Sequence, residues 1–166
     1  MPKIHHKTLH NPLLVAGRQV RTTNAAEITG SGKIGPLWQS FFADNVAASI
    51  PNRIGDALYA VYSNYESDED GAYDLLIGVP VSTIENLSAD ITFAAIATGE
   101  YAIVTTERGP IAQQVYGAWK EIWSLSPEQL GGRRAFLADY EIYDHRAADP
   151  ADAVVEIHVG IEPGVV

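Results

Sequence analysis

The chain has 166 residues, 11 basic and 21 acidic side chains, a formal net charge of −10 and 46% hydrophobic residues. That is enough apolar content for the core of one ordinary domain and too much for a disordered chain. The negative balance opposes nucleic acid and anionic membrane surfaces, which are bound by Lys and Arg displacing counterions, and the absence of cysteine removes disulfides, thiol nucleophiles and Cys-ligated zinc.

The amino terminus, Met1-Pro2-Lys3-Ile4-His5-His6-Lys7, has no apolar stretch of the signal-peptide kind. The longest apolar runs, such as 13–16, are too short to cross a bilayer, so a cytoplasmic location is expected. His5, His6 and His10 form a loose cluster near the terminus and are given no role. A β-type segment follows over 13–21. Ile34, Leu37, Trp38, Phe41 and Phe42 then fall at i, i+3, i+4, i+7 and i+8, one apolar stripe on a helix. A tyrosine-rich strand around Tyr59 and Tyr62 and an aliphatic strand over 75–81 come next, separated by an acidic turn at 66–71. That acidic run lacks the spacing of a calcium loop and reads as a hydrated hairpin.

The order then repeats. β-type segments at 91–97 and 100–105 precede a second helical stripe of Val115, Ala118, Trp119, Ile122 and Trp123. Gly109-Pro110 opens that helix and Ser126-Pro127 ends it. A strand with Tyr140 and Tyr143, a turn at 147–152 and an aliphatic strand over 155–161 complete the chain. Trp38 falls on Trp119 at a shift of 81 (119 − 38), and the same shift equates Tyr59 with Tyr140, Tyr62 with Tyr143, and 14–16 with 95–97. With one residue deleted, 75–81 falls on 155–161. The expectation is a single α+β domain over 1–166, built from an internal repeat at 9–81 and 91–161. Each copy reads strand, helix, strand, strand, and the two together form an antiparallel sheet with two helices packed on it.

Two related halves leave a groove at their seam, and a ligand site is expected where the copies differ in polarity. At the position of Ala60 the second copy carries Glu141, between Tyr140 and Tyr143. Strand alternation puts Glu141 and Tyr143 on one face. A carboxylate there is either on the wet face or aimed into a pocket. If inward, among Trp and Tyr, it would receive an organic cation or act as a general acid or base. Trp38 and Trp119 either face each other across the seam or lie in the core. Glu156 and His158 share a face of the last strand, which reads as solvated rather than metal-binding. The common enzyme signatures, including Gly-x-Ser-x-Gly, the P-loop, the dinucleotide fingerprint and His-Glu-x-x-His, are absent from the sequence.

The duplicated unit, the Tyr116-Gly-Ala-Trp119 helix, the Asp139-Tyr-Glu-Ile-Tyr143 strand and the closing Glu156-Ile-His-Val-Gly-Ile161 resemble the GyrI-like small-molecule-binding domains, which also serve as effector-binding domains of AraC-type and MerR-type regulators. The likeness covers roughly 9–161. It implies a stand-alone binding protein for a small cationic, aromatic or lipophilic, drug-like ligand. Glu141 would be the charged determinant, and Tyr143, Trp119, Trp38 and Tyr62 the walls. No cofactor and no metal are expected. Family members that hydrolyse cyclopropane-bearing compounds offer a second reading, with Glu141 as acid/base, and gyrase inhibitors offer a third, as protein-interaction modules. No helix-turn-helix fits in the first nine residues, so direct DNA binding is not expected and a regulatory role would need a protein partner.

Overall fold

A computed structural model describes residues 3–164; Met1 and Pro2 of the amino-terminal stretch, and residues 165–166, lie outside the described residues. The first part of the chain forms β1 (Ile4–Leu9), β2 (Leu13–Thr23), α1 (Asn24–Ile28), α2 (Ile34–Ala43), α3 (Val46–Ser49), β3 (Leu58–Ser63) and β4 (Ala72–Val81). The second part forms β5 (Thr92–Ile96), β6 (Gly99–Thr105), α4 (Ile111–Ser124), α5 (Pro127–Leu130), β7 (Gly132–Tyr143) and β8 (Glu156–Pro163), with a 3-10 turn at His145–Ala147. All eight strands join one antiparallel sheet in the order β1-β6-β8-β7-β3-β4-β2-β5. The fold is α+β with two main helices, α2 and α4. Among the described residues no helix is long and apolar enough to cross a membrane.

The sheet order reads the same from both ends about its central β7–β3 pair. Ala60 lies opposite Glu141 in that ladder, so the two residues equated by the 81-residue shift meet at the local twofold. The shift misplaces one block. Residues 14–16 do not correspond to 95–97; Leu14 pairs with Ala95, and β2 and β5 are neighbours. The mirror partner of β2 is β6, and that of β5 is β1, the strand containing His5 and His6 that the sequence reading left without a role. Each half therefore reads strand, strand, helix, strand, strand. His6 Nε2 also lies 3.0 Å from the Leu130 carbonyl, tying this edge strand to α5.

The connections force the sheet to curl. β1 and β2 stand first and seventh in the order, a separation of about 29 Å in a flat sheet with strands about 4.8 Å apart. The short link from Leu9 to Leu13 reaches at most about 14 Å. The two ends therefore bend toward each other, around a core of Val15, Val61, Leu76, Ile96, Tyr101 and Tyr140. Tyr140 is sandwiched there between Tyr59, at 5.9 Å, and His158, at 4.4 Å. His158 is thus not on a solvated face: it is 2% exposed, and its Nε2 meets Glu156 Oε1 at 2.9 Å. Burial holds its imidazole below the usual range despite that carboxylate. Glu156 is half-buried and pairs with Arg146 at 2.6 Å.

On the other sheet face, α2 sets Leu37 and Phe41 against Ala16, Ile77 and Val79, while α4 sets Ala118, Trp119 and Ile122 against Ala102, Ile157 and Val159. Phe42 departs from the expected stripe. It is 62% exposed and lies against Trp38 at 5.8 Å rather than in the core. Between β2 and β4 the backbones approach too closely for side chains. Gly17 faces Gly78, and a Cβ on Gly78 would come 1.9 Å from the Ala16 carbonyl oxygen. Gly78→Ala is expected to lower stability by about 1–3 kcal/mol, in the range of overpacked cores. An unchanged urea midpoint would show that the strands part freely.

Candidate functional site

Between α2 and α4 the sheet's central strands are left uncovered, and a cavity of about 370 Å³ opens there. Its floor comes from β3, β4 and β7, through Tyr62, Leu75, Glu141 and Tyr143. One wall is α2, with Ile34 and Trp38; the other is α4, with Ile111, Val115, Tyr116, Trp119 and Trp123. The helical periodicity that buries Leu37 and Phe41 on one side of α2 turns Ile34 and Trp38 toward this gap. All five residues singled out from the sequence, Trp38, Tyr62, Trp119, Glu141 and Tyr143, line it, and the two tryptophans come from opposite walls.

Glu141 is 2% exposed. The Tyr62 hydroxyl and Trp119 Nε1 each donate to its Oε2 at 2.7 Å, and the Tyr143 hydroxyl donates to Oε1 at 2.6 Å. Ring packing holds the donors in place. Tyr62 packs on Trp119 with ring centres 5.2 Å apart, and Tyr143 packs edge-on to Trp38 at 5.0 Å. All three donors are neutral, and no ion pair to Glu141 is present among the described residues. Burial pushes the Glu141 carboxyl above the ordinary carboxylate range, against the pull of the three hydrogen bonds. The same burial, and the adjacent carboxylate, raise the Tyr62 and Tyr143 hydroxyls well above their usual value and keep them protonated. Trp119→Phe keeps an aromatic ring but removes one donor. The Glu141 carboxyl is expected to titrate still higher in that variant, as followed by carbon NMR of the side chain. An unmoved titration would mean that the indole bond contributes nothing to the site.

The lip was not read from the sequence. Glu27 of α1 caps α2, accepting from the backbone N–H groups of Lys33 at 2.8 Å and Ile34 at 3.2 Å, and its side chain lines the cavity. That carboxylate fits the positive end of the helix, where Lys33 offers no cap of its own. Tyr65 and Tyr73 flank the acidic hairpin and also line the cavity, as does Glu69 within it. The hairpin is therefore part of the site's rim as well as a hydrated turn. Arg134 completes the lining; nothing in its local sequence marked it. Among the described residues no group of three His, Asp or Glu side chains is placed to hold a metal ion.

The family of Cass2 integron-associated effector-binding proteins matches residues 10–161. The chain belongs to this family. YobU of Bacillus subtilis (strain 168) is 34% identical over 148 residues, covering 89% of this chain and 91% of YobU. Among solved structures, the integron cassette protein VCH_CASS2 of Vibrio cholerae is similar with a TM-score of 0.72 and 28% identity, over 96% of this chain and 95% of that one. SAV2435, solved bound to tetraphenylphosphonium, shares the fold with a TM-score of 0.74 and 16% identity, over 96% of this chain and 94% of that one. The GyrI-like resemblance read from the sequence thus belongs with an effector-binding family, and the protein is a ligand-binding member of it.

Proposed function

We propose that the protein binds a lipophilic organic cation in the cavity between α2 and α4, with Glu141 as its charged partner and Trp38, Tyr62, Trp119 and Tyr143 as its aromatic walls. The observation that carries this reading is a buried carboxylate held by three neutral donors, with no ion pair to it among the described residues. Removing a carboxylate from water is costly, and a bound cation offsets that cost through direct attraction in a site that excludes water. The surrounding rings add cation–π attraction of about 0.5–2 kcal/mol. Tetraphenylphosphonium, the ligand named with SAV2435, has the expected chemistry: one diffuse positive charge inside an aromatic shell. The net charge of −10 favours such cations and opposes direct contact with DNA phosphates.

Isothermal titration with tetraphenylphosphonium, set against the neutral triphenylphosphine oxide, tests the reading. Saturable one-to-one binding of the cation, at least tenfold tighter than the neutral compound, is expected. Equal affinity for the two, or no binding of the cation, would overturn it. A cation that is consumed rather than retained would assign Glu141 to acid–base catalysis instead, a role open to a carboxyl whose pKa burial has raised.

A further inference from the structure

Two carboxylates, Asp139 and Glu141, occur two residues apart on β7, and the protein treats them differently. Asp139 is fully buried. Arg134 Nη2 donates to its Oδ2 at 2.7 Å, the Tyr65 hydroxyl donates to the same oxygen, and the Gly160 N–H donates to Oδ1 at 2.8 Å. Arg134 reaches Asp139 because the β7–β8 ladder breaks between them, with Phe136 at a φ of 52° in the irregular stretch. The guanidinium lies over the Phe136 ring at 4.3 Å and near the Trp119 ring at 5.6 Å, and it is only 12% exposed. Arg134 lines the cavity; Asp139 does not. Its Nε and Nη1 are buried without a hydrogen-bond partner among the described residues.

A buried ion pair with donors left over is a weak stabiliser compared with apolar side chains of the same size. Its effect on the cavity is more direct. We propose that Arg134 is a specificity residue: by cancelling Asp139 it limits the cavity floor to one free negative charge, that of Glu141, so that singly charged ligands are preferred over doubly charged ones of the same aromatic frame. A second positive charge reaching the floor would meet the guanidinium instead of a carboxylate. Glu27 and Glu69 at the lip, the latter also acting on Arg134, attract a doubly charged ligand more than a singly charged one but are the same residues in every variant, so the change in the affinity ratio between variants reads the guanidinium. This inference rests on the cation-binding reading.

The test compares ethidium with propidium, which share a phenanthridinium core and carry one and two positive charges. The parent is expected to bind ethidium more tightly. In Arg134→Met the ratio should move at least tenfold toward propidium, while Arg134→Lys should stay on the parent's side. Asp139→Asn leaves Arg134 uncompensated and should weaken both dyes at least tenfold. The double variant Arg134→Met/Asp139→Asn loses both charges together and should return the ratio to the parent's side. A folded Arg134→Met with the parent's ratio, a folded Asp139→Asn with the parent's affinities, or a double variant whose ratio has shifted would each overturn the proposal. A parent that binds neither dye nor tetraphenylphosphonium would instead overturn the cation-binding reading itself.

Discussion

Glu141→Gln should weaken tetraphenylphosphonium binding by about 1.5–3 kcal/mol, the scale of interactions with a charged group, while triphenylphosphine oxide binding changes far less. The substitution keeps the shape but leaves one acceptor oxygen where the carboxylate offered two, so the comparison with the neutral compound, which meets the same rearranged hydrogen bonds, isolates the charge. A pH titration of the parent separates charge from shape a second way. Cation binding should fall as pH drops through the Glu141 pKa, and burial places that fall above the ordinary carboxylate range. The ligand-free protein should show the opposite sign. A carboxyl whose folded pKa is raised binds its proton more tightly when folded, so its contribution to stability is lost as pH rises through the window between the unfolded and folded values. Ionised Glu141 therefore weakens the empty fold once the pH has passed that window, and Glu141→Gln should unfold at a higher denaturant concentration there. A variant that binds the cation as tightly as the parent would remove the carboxylate from the centre of the site.

Tyr140→Ala should cost about 3–5 kcal/mol, as large aromatic truncations in cores do, a large share of a typical domain's stability of about 5–15 kcal/mol. Tyr140 sits directly behind the ligand cavity, on the opposite face of β7 from Glu141, and joins Tyr59, Tyr101 and His158 in the core that holds the curled sheet together. Removing its ring opens a void where the two ends of the sheet approach. Tyr140→Phe keeps the ring and should stay close to the parent. Urea denaturation of the two variants decides between packing and polarity. Similar midpoints for Tyr140→Ala and the parent would mean that the back core is not what closes the sheet.

Much of this arrangement is legible in the sequence because it depends on periodicity and on the repeat. The stripes of α2 and α4 follow from helical spacing. The Ala60–Glu141 opposition follows from a shift that also matches Trp38 to Trp119. The direction of Glu141 was open from alternation alone, since a strand buried on both faces gives its polar residue no wet side. Three features were not legible. β1 carries a short, mostly exposed pattern with two histidines, and only pairing with β6 makes it a strand. Residues 14–16 and 95–97 look alike because ladder neighbours in a packed sheet share apolar character, so similarity there reported contact rather than equivalence. His158 and Arg134 owe their burial to partners distant in sequence or reached across an irregular strand, Tyr140 and Asp139 respectively, and no local spacing announces either pairing.

The most direct measurement is a crystal structure of the protein soaked with tetraphenylphosphonium. The expected result is density for the cation between α2 and α4, with its phosphorus facing Glu141 and its phenyl groups against Trp38 and Trp119. An empty cavity at saturating ligand, or density for the cation elsewhere on the protein, would contradict the assignment of this cavity and of Glu141 as the cation site.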